Sequence, residues 1–408
     1  MGAAASISAA TASSLEDEDD ATLDPALRLR KAKLRFLASA GVDEPASFIS
    51  REMLERDIAE WIAAPSPESR AALASRAAAS SDALGARPVR VERIAAATLA
   101  ERDEKGNPTA CNTSNHWETS LGQSLSLDDY NAELALTAME AWLRPLAHLC
   151  SHRGEGVHAL RVTVAQLKAD DPERVAREVE AACMPPDTRA PEHGWFVRTS
   201  DCSPKDAPAH GGPGPHHFVL YALKACLWGS ARCQTAISNR RVNALLRRKH
   251  AILTGKLPRG TQLEADDAEA ATVFLLPFDP AMATRRELRV FVCEGRVTAI
   301  SQYDWFDTAT VFSAMSDAEL ARVARAVEAF YVEKLQPAWS AVGGTASIIM
   351  DVEYLAETDE VQLIELNSFG AEFASGSALF HWMRDRDIVY RSPASSSEPQ
   401  PICIRVLE

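Results

Sequence analysis

Two apolar stretches toward the C-terminal end carry acids and an amide where a buried strand would otherwise hold hydrocarbon. One reads Ile348-Ile349-Met350-Asp351-Val352-Glu353, the other Leu363-Ile364-Glu365-Leu366-Asn367. Successive side chains of a strand point to opposite faces, so Glu365 and Asn367 share a face. If 346–355 and 361–366 form a hairpin with a five-residue connection, 356–360, Asp351 falls opposite Glu365. Two carboxylates and an amide oxygen then converge. Such a set suits Mg²⁺, a hard cation that takes oxygen ligands and shares them with phosphates. A four-residue connection would send the two acids to opposite faces and remove the site. The competing explanation is that these acids cover a solvated face. Against it, a charge inside an apolar strand has to be paired or metal-bound.

Arg289 poses the same problem within Leu288-Arg289-Val290-Phe291. Its planar guanidinium can grip phosphate oxygens in pairs, or it can form an ion pair with the carboxylates above. Both readings bring it to the same cluster. The chain has no Gly-rich phosphate loop of either common type, so a nucleotide site would have to be built on a sheet face. Residues 210–217 hold three histidines, but the interleaved glycines and prolines favour a mobile loop over a metal site.

The elements that must position these groups are readable in the second half of the chain. Residues 272–276 form an apolar strand, and 288–293 with 296–301 form a hairpin about Glu294-Gly295. Ser316 followed by Glu319 is a capping box opening a helix through about Leu335, with the stripe Leu320, Val323, Val327, Phe330 and Tyr331. Upstream, 134–149 reads as a helix interrupted at Pro145, 172–183 as a second helix and 195–199 as a short strand. Phe48, Ile49, Met53, Leu54, Ile58, Trp61 and Ile62 give 25–87 a helical stripe, and 71–84 reads as an alanine-rich helix. Hairpins with helices between them indicate an α+β fold with a largely antiparallel sheet. The expected divisions are an acidic disordered tail at 1–25, a helical extension at 26–105, the main domain at 106–390 and a C-terminal tail at 391–408.

Bulk properties narrow the partners. Over 408 residues, 43 basic against 57 acidic side chains leave a net charge of −14. Such a surface repels phosphate backbones, so nucleic acid is a poor fit as the main partner and a basic protein surface a better one. The eight cysteines are irregularly spaced, without a Cys-x-x-Cys pair, which argues for a reducing, cytoplasmic setting and against zinc. No stretch is long and apolar enough to cross a membrane, and no basic-then-apolar signal opens the chain. Met1-Gly2-Ala3-Ala4-Ala5-Ser6 fits the myristoylation pattern on Gly2, although an Ala/Ser-rich tail matches it by composition. Membrane contact is expected only if Gly2 is acylated, and the run Glu16-Asp17-Glu18-Asp19-Asp20 would oppose an anionic leaflet. A monomer is expected.

The same residues carry a family likeness. Glu287-Leu288-Arg289-Val290-Phe291-Val292, then Ile300-Ser301-Gln302-Tyr303-Asp304-Trp305, resembles the central motif of the cell division cycle protein 123 family. Met350-Asp351-Val352-Glu353-Tyr354, Leu363-Ile364-Glu365-Leu366-Asn367-Ser368-Phe369-Gly370 and Ser377-Ala378-Leu379-Phe380-His381-Trp382 are similar to its later elements. Phe196-Val197-Arg198-Thr199-Ser200-Asp201-Cys202-Ser203-Pro204-Lys205-Asp206 resembles an earlier one. The likeness spans about 110–385 in five ordered motifs. It implies a two-lobed ATP-grasp fold that binds ATP and Mg²⁺, and a chaperone that joins the gamma subunit of translation initiation factor two to the alpha subunit. It puts Asp351, Glu365 and Asn367 at the metal positions and Arg198, Lys205 and Arg289 at the nucleotide. The alternatives are an ATP-grasp carboxylate–amine ligase and a binding module without nucleotide. Turnover is left open. Arg198 stands where the family has lysine, Glu365 and Gly376 where it has aspartate, and Ser368 where it has proline.

Overall fold

The computed structural model describes residues 87–100, 111, 133–150, 156–167, 169–186, 188–240, 271–280, 286–370, 373, 375–390 and 400–408. The expected tail at 1–25, the helical stripes up to residue 86 and the Gly2 motif lie outside these residues. The chain divides into two compact units. One, at 1–65, 120–131 and 235–270, is described only at 235–240, which are helical. The other, at 66–119, 132–234 and 271–408, contains both β-sheets.

Its larger sheet has six strands: β1 (Val89–Ile94), β5 (Glu287–Cys293), β6 (Arg296–Gln302), β7 (Ile348–Leu355), β8 (Glu360–Ser368) and β9 (Ile402–Leu407), in the spatial order β1-β9-β6-β5-β7-β8. A three-stranded sheet orders β2 (His158–Val162), β4 (Ala271–Pro277) and β3 (Trp195–Thr199) as β2-β4-β3, all antiparallel. The α+β class and the largely antiparallel pairing stand. The exception is β9, which runs parallel to both β1 and β6.

Two expected divisions cut through this sheet and are corrected. Residues 89–94 were assigned to a helical extension and 402–407 to a tail, yet both are strands of the main sheet. Val89-Arg90-Val91-Glu92 alternates with period two, but Arg93 and Ile94 break the alternation. β9 is buried at five of its six positions; only Arg405 is partly open, and it bonds Asp385 and Glu92. A short apolar strand far in sequence from its partners leaves no hairpin signal, which is why it escaped notice.

One face of the sheet is hydrocarbon. Leu288, Val290, Val292, Ile300, Met350, Val352, Leu363, Leu366, Ile402 and Ile404 join a single core with α1 (Met139–Leu146) and α3 (Asp317–Phe330). α3 starts at the expected capping box: the Ser316 hydroxyl accepts from the Glu319 amide, and the Glu319 carboxylate accepts from the Ser316 amide. Its buried stripe is Leu320, Val323, Ala324, Val327 and Phe330, and a π turn carries the helix on through Leu335. α2 (Pro172–Cys183) begins at Asp171, whose carboxylate accepts from the Arg174 amide, with Pro172 in the first turn. The β5–β6 turn puts Glu294 at φ 51 and Gly295 at φ 75, the left-handed pair that a two-residue hairpin requires.

The eight cysteines are all free thiols. Within residues 210–217, His216 is buried, bonds the Gly212 carbonyl and exchanges backbone hydrogen bonds with Trp195. Among the described residues, no helix is long and apolar enough to cross a membrane.

Candidate functional site

The opposite face of the sheet holds the polar ladder. In β5 and β7, Glu287 pairs with Glu353 and Arg289 with Asp351. In β7 and β8, Asp351 pairs with Glu365 and Ile349 with Asn367. The connection is not the expected five residues. Leu355 pairs directly with Glu360, leaving four residues, 356–359, in the turn. A β-bulge between Asp351 and Val352 leaves Ile364 unpaired and shifts the register by one. The bulge restores what the shorter turn would have lost. Val361 and Leu363 before it and Leu366 and Ser368 after it face the core, while Glu365 and Asn367 face the site.

The expected site residues meet. Arg289 donates from Nε to Asp351 Oδ1 at 2.8 Å and from Nη2 to Oδ2 at 2.7 Å, a two-pronged ion pair. Its third arm, Nη1, donates to the Gly376 carbonyl at 2.6 Å, so a backbone oxygen serves where the family likeness expects an aspartate. Asn367 Nδ2 lies 3.2 Å from Asp351 Oδ2. Arg198, on β3 of the smaller sheet, donates from Nη2 to Glu365 Oε1 at 2.5 Å. Arg198, Arg289 and Asp351 are buried, and the Glu365 side chain keeps 19% of its exposure.

Lys205 reaches the cluster from a loop. Its stem is exposed, and its ammonium turns inward to donate to the Tyr303 hydroxyl at 2.6 Å. Asp206 anchors that loop: its carboxylate accepts from the Ser230 hydroxyl and from the Arg232 amide, where the helix at 231–240 begins. Tyr303 is flanked by Lys205, 4.5 Å from the ring centre, and by Arg289, at 4.9 Å.

Glu287, Tyr303 and the Gly376 carbonyl are the parts that sequence reasoning missed. Glu287 was detectable, since it lies two residues before Arg289 and therefore on its face. Tyr303 lies just past the end of β6, where alternation no longer assigns a direction.

The electrostatics follow from burial. Desolvation pushes the Glu287 carboxyl up to about 8, and the nearby Asp351 charge adds to this, against Lys205 and Arg289. Asp351 is also raised by burial, with Arg289 opposing. Burial works in the same direction on Glu365, but the Arg198 charge and hydrogen bond hold it below the ordinary carboxylate range. Burial opposes the Lys205 charge, yet Tyr303 and Glu287 keep it above the usual lysine range. Glu287 therefore holds a proton in the folded chain that the unfolded chain has lost, from the ordinary glutamate value up to about pH 8. In that window stability falls as pH rises. The melting temperature of Glu287→Gln is expected to gain on that of the wild type steadily from pH 5 to 8. Parallel curves for the two proteins would refute the buried, protonated carboxyl.

Asp351, Glu365 and Asn367 supply only oxygen-bearing side chains, as a hard cation needs. Among the described residues, no three or more His, Cys, Asp and Glu group to hold a metal on their own. A divalent cation held there would need its remaining ligands from elsewhere.

Residues 261–405 match the D123 family model. No curated protein matches the chain. Among solved structures, C-terminally truncated Cdc123 from Schizosaccharomyces pombe is similar at 15% identity with a TM-score of 0.45, over 67% of this chain and 97% of that one. Cdc123 from the same organism is similar at 14% identity with a TM-score of 0.42, over the same shares.

Proposed function

Because the chain belongs to the D123 family, that of Cdc123, we propose that it binds ATP with Mg²⁺ on the polar face of its large sheet. We further propose that it acts as an assembly chaperone joining the gamma and alpha subunits of translation initiation factor two. One observation carries the ligand half: six side chains from four separate stretches of the chain, Arg198, Lys205, Arg289, Asp351, Glu365 and Asn367, converge on one cluster. The partner half rests on the likeness of the five ordered motifs.

The roles follow from position. Lys205 guards the open edge and would meet the phosphates first. Arg198 and Arg289 offer planar donors deeper in, where low dielectric strengthens each contact. Asp351, Glu365 and Asn367 would hold a divalent cation, which would offset the charge of the phosphates. The ion pairs favour a second reading, a binding module without nucleotide, because they already satisfy Asp351 and part of Glu365. A ligase would need an acceptor pocket, and no residue set among the described residues of the cluster marks one.

The partner is tested with isolated subunits. The tagged protein is expected to capture the gamma subunit of initiation factor two and to increase the yield of the gamma–alpha complex. No capture at micromolar concentrations, about −8 kcal/mol of binding, would overturn the chaperone assignment.

A further inference from the structure

We propose that Cys202 and Cys233 are a modification site, a thiol pair that peroxide converts to a disulfide locking the turn after β3 onto the helix at 231–240. Their sulfurs lie 3.8 Å apart, in van der Waals contact, although 31 residues separate them in the chain. Cys202 is 7% exposed, Cys233 is fully buried, and both are free thiols. A disulfide sets its sulfurs about 2.05 Å apart, so closure needs a movement of less than about 2 Å.

The backbone on both sides holds the pair in place. Cys202 sits in the turn that leaves β3, where the Thr199 hydroxyl donates to the Cys202 carbonyl at 3.0 Å and its oxygen accepts from the Cys202 amide at 3.2 Å. Cys233 sits in the first turn of the helix, and its amide donates to the Ser230 hydroxyl at 2.9 Å. Ser230 in turn donates to Asp206, which also accepts from the Arg232 amide. The turn and the helix start are therefore bound together right beside the thiol contact. A metal is the competing occupant, because Cys226, in the π turn Lys224–Gly229, also meets Cys233. Among the described residues, however, no three or more His, Cys, Asp and Glu group to hold one. What is left to the pair is the chemistry of sulfur itself.

Cys202 is the thiol that reacts first. It lies in a turn, while Cys226 and Cys233 lie in helical segments and are fully buried. The thiolate is the reactive form. In the closed turn, the contact with Cys233 and then burial raise the Cys202 thiol far above the ordinary range. Cys202 lowers Cys233, but Cys226 and burial outweigh it and push Cys233 up to about 12. Oxidation therefore waits on opening of the turn, which returns Cys202 to water. Its thiolate then attacks one peroxide oxygen, the O–O bond breaks, and the thiol becomes a sulfenic acid with release of water. On reclosure the Cys233 sulfur attacks the sulfenic sulfur, the S–O bond breaks, and a second water leaves with the Cys233 proton. Two thiols are oxidised and one peroxide is reduced.

The test treats the full-length protein with hydrogen peroxide, then unfolds it, alkylates the remaining thiols and maps its peptides by mass. The expected result is a link between the Cys202 and Cys233 peptides, with the loss of two hydrogens and reversal by a dithiol reductant. The map keeps this link apart from oxidation at Cys183, which is only partly buried. Hydrogen exchange at the amides of 200–206 should be slower in the linked protein than in the reduced one. Cys233→Ala should abolish the link and leave a Cys202 sulfenic acid that dimedone traps. If Cys202 and Cys233 are both still alkylated after peroxide, or the link joins Cys226 to Cys233, the pair is not a modification site. If the expected link forms and exchange at 200–206 does not change, there is no lock. The wild-type map decides the matter even if the variant fails to fold.

Discussion

Asp351→Asn is expected to lower the stability of the unliganded protein by about 3–5 kcal/mol, the cost of breaking a buried ion pair by removing one partner. Asp351 is fully buried, and both of its oxygens accept from Arg289. The amide keeps the shape of the side chain but offers one acceptor and a donor that faces a guanidinium. Arg289 keeps its bond to the Gly376 carbonyl and loses its counter-charge. The loss corresponds to a fall in melting temperature on the order of 10 °C for a domain of this size. The double variant Asp351→Asn/Arg289→Met should recover part of it, because the orphaned charge is gone. If the single variant melts with the wild type, the pair contributes nothing net. By the same geometry, removing Arg289 strands Asp351 in the interior, so folding suffers along with ligand binding.

Trp382→Ala should cost a similar amount, about 3–5 kcal/mol, through the cavity it leaves. Trp382 is buried and packs edge-on against Phe291 at 5.4 Å and Phe369 at 5.5 Å, with Tyr390 at 5.7 Å. Its indole nitrogen donates to the Ser375 carbonyl at 3.0 Å, beside the Gly376 carbonyl that receives Arg289. The ring therefore holds the segment that completes the Arg289 cradle, and its loss should weaken nucleotide binding as well as stability. Trp382→Phe keeps the aromatic packing and forfeits the hydrogen bond, so its cost should be near 1 kcal/mol. Equal melting of the alanine and phenylalanine variants would show that the aromatic cluster does not hold this segment.

Much of the site was legible because it lies on regular strands. Alternation alone put Glu365 with Asn367, and apolar context marked Asp351 and Arg289 as needing partners. The pairing of Asp351 with Glu365 came out as expected, but through a different device. A four-residue turn and a bulge at Ile364 together replace the five-residue connection. Bulges are invisible to a period-two reading, since the extra residue is itself an ordinary apolar side chain. Arg198 was placed by likeness, and its bond to Glu365 was not foreseeable, because it joins a strand of one sheet to a strand of another, 167 residues apart. β1 and β9 were missed for a related reason: parallel pairing between distant segments leaves no turn to read, and Val89-Arg90-Val91 and Ile402-Cys403-Ile404 are too short to declare themselves.

Thermal unfolding of the full-length chain with and without millimolar Mg-ATP tests the central claim most directly. A ligand that binds only the folded state stabilises it by about 2.7 kcal/mol at a hundredfold excess over its Kd, a shift of several degrees. The site described here predicts that shift for the wild type and its loss in Asp351→Asn, measured against that variant's own unliganded melt. A wild-type melting curve that Mg-ATP does not move would contradict it, and would mark the ion-paired cluster as part of the scaffold alone.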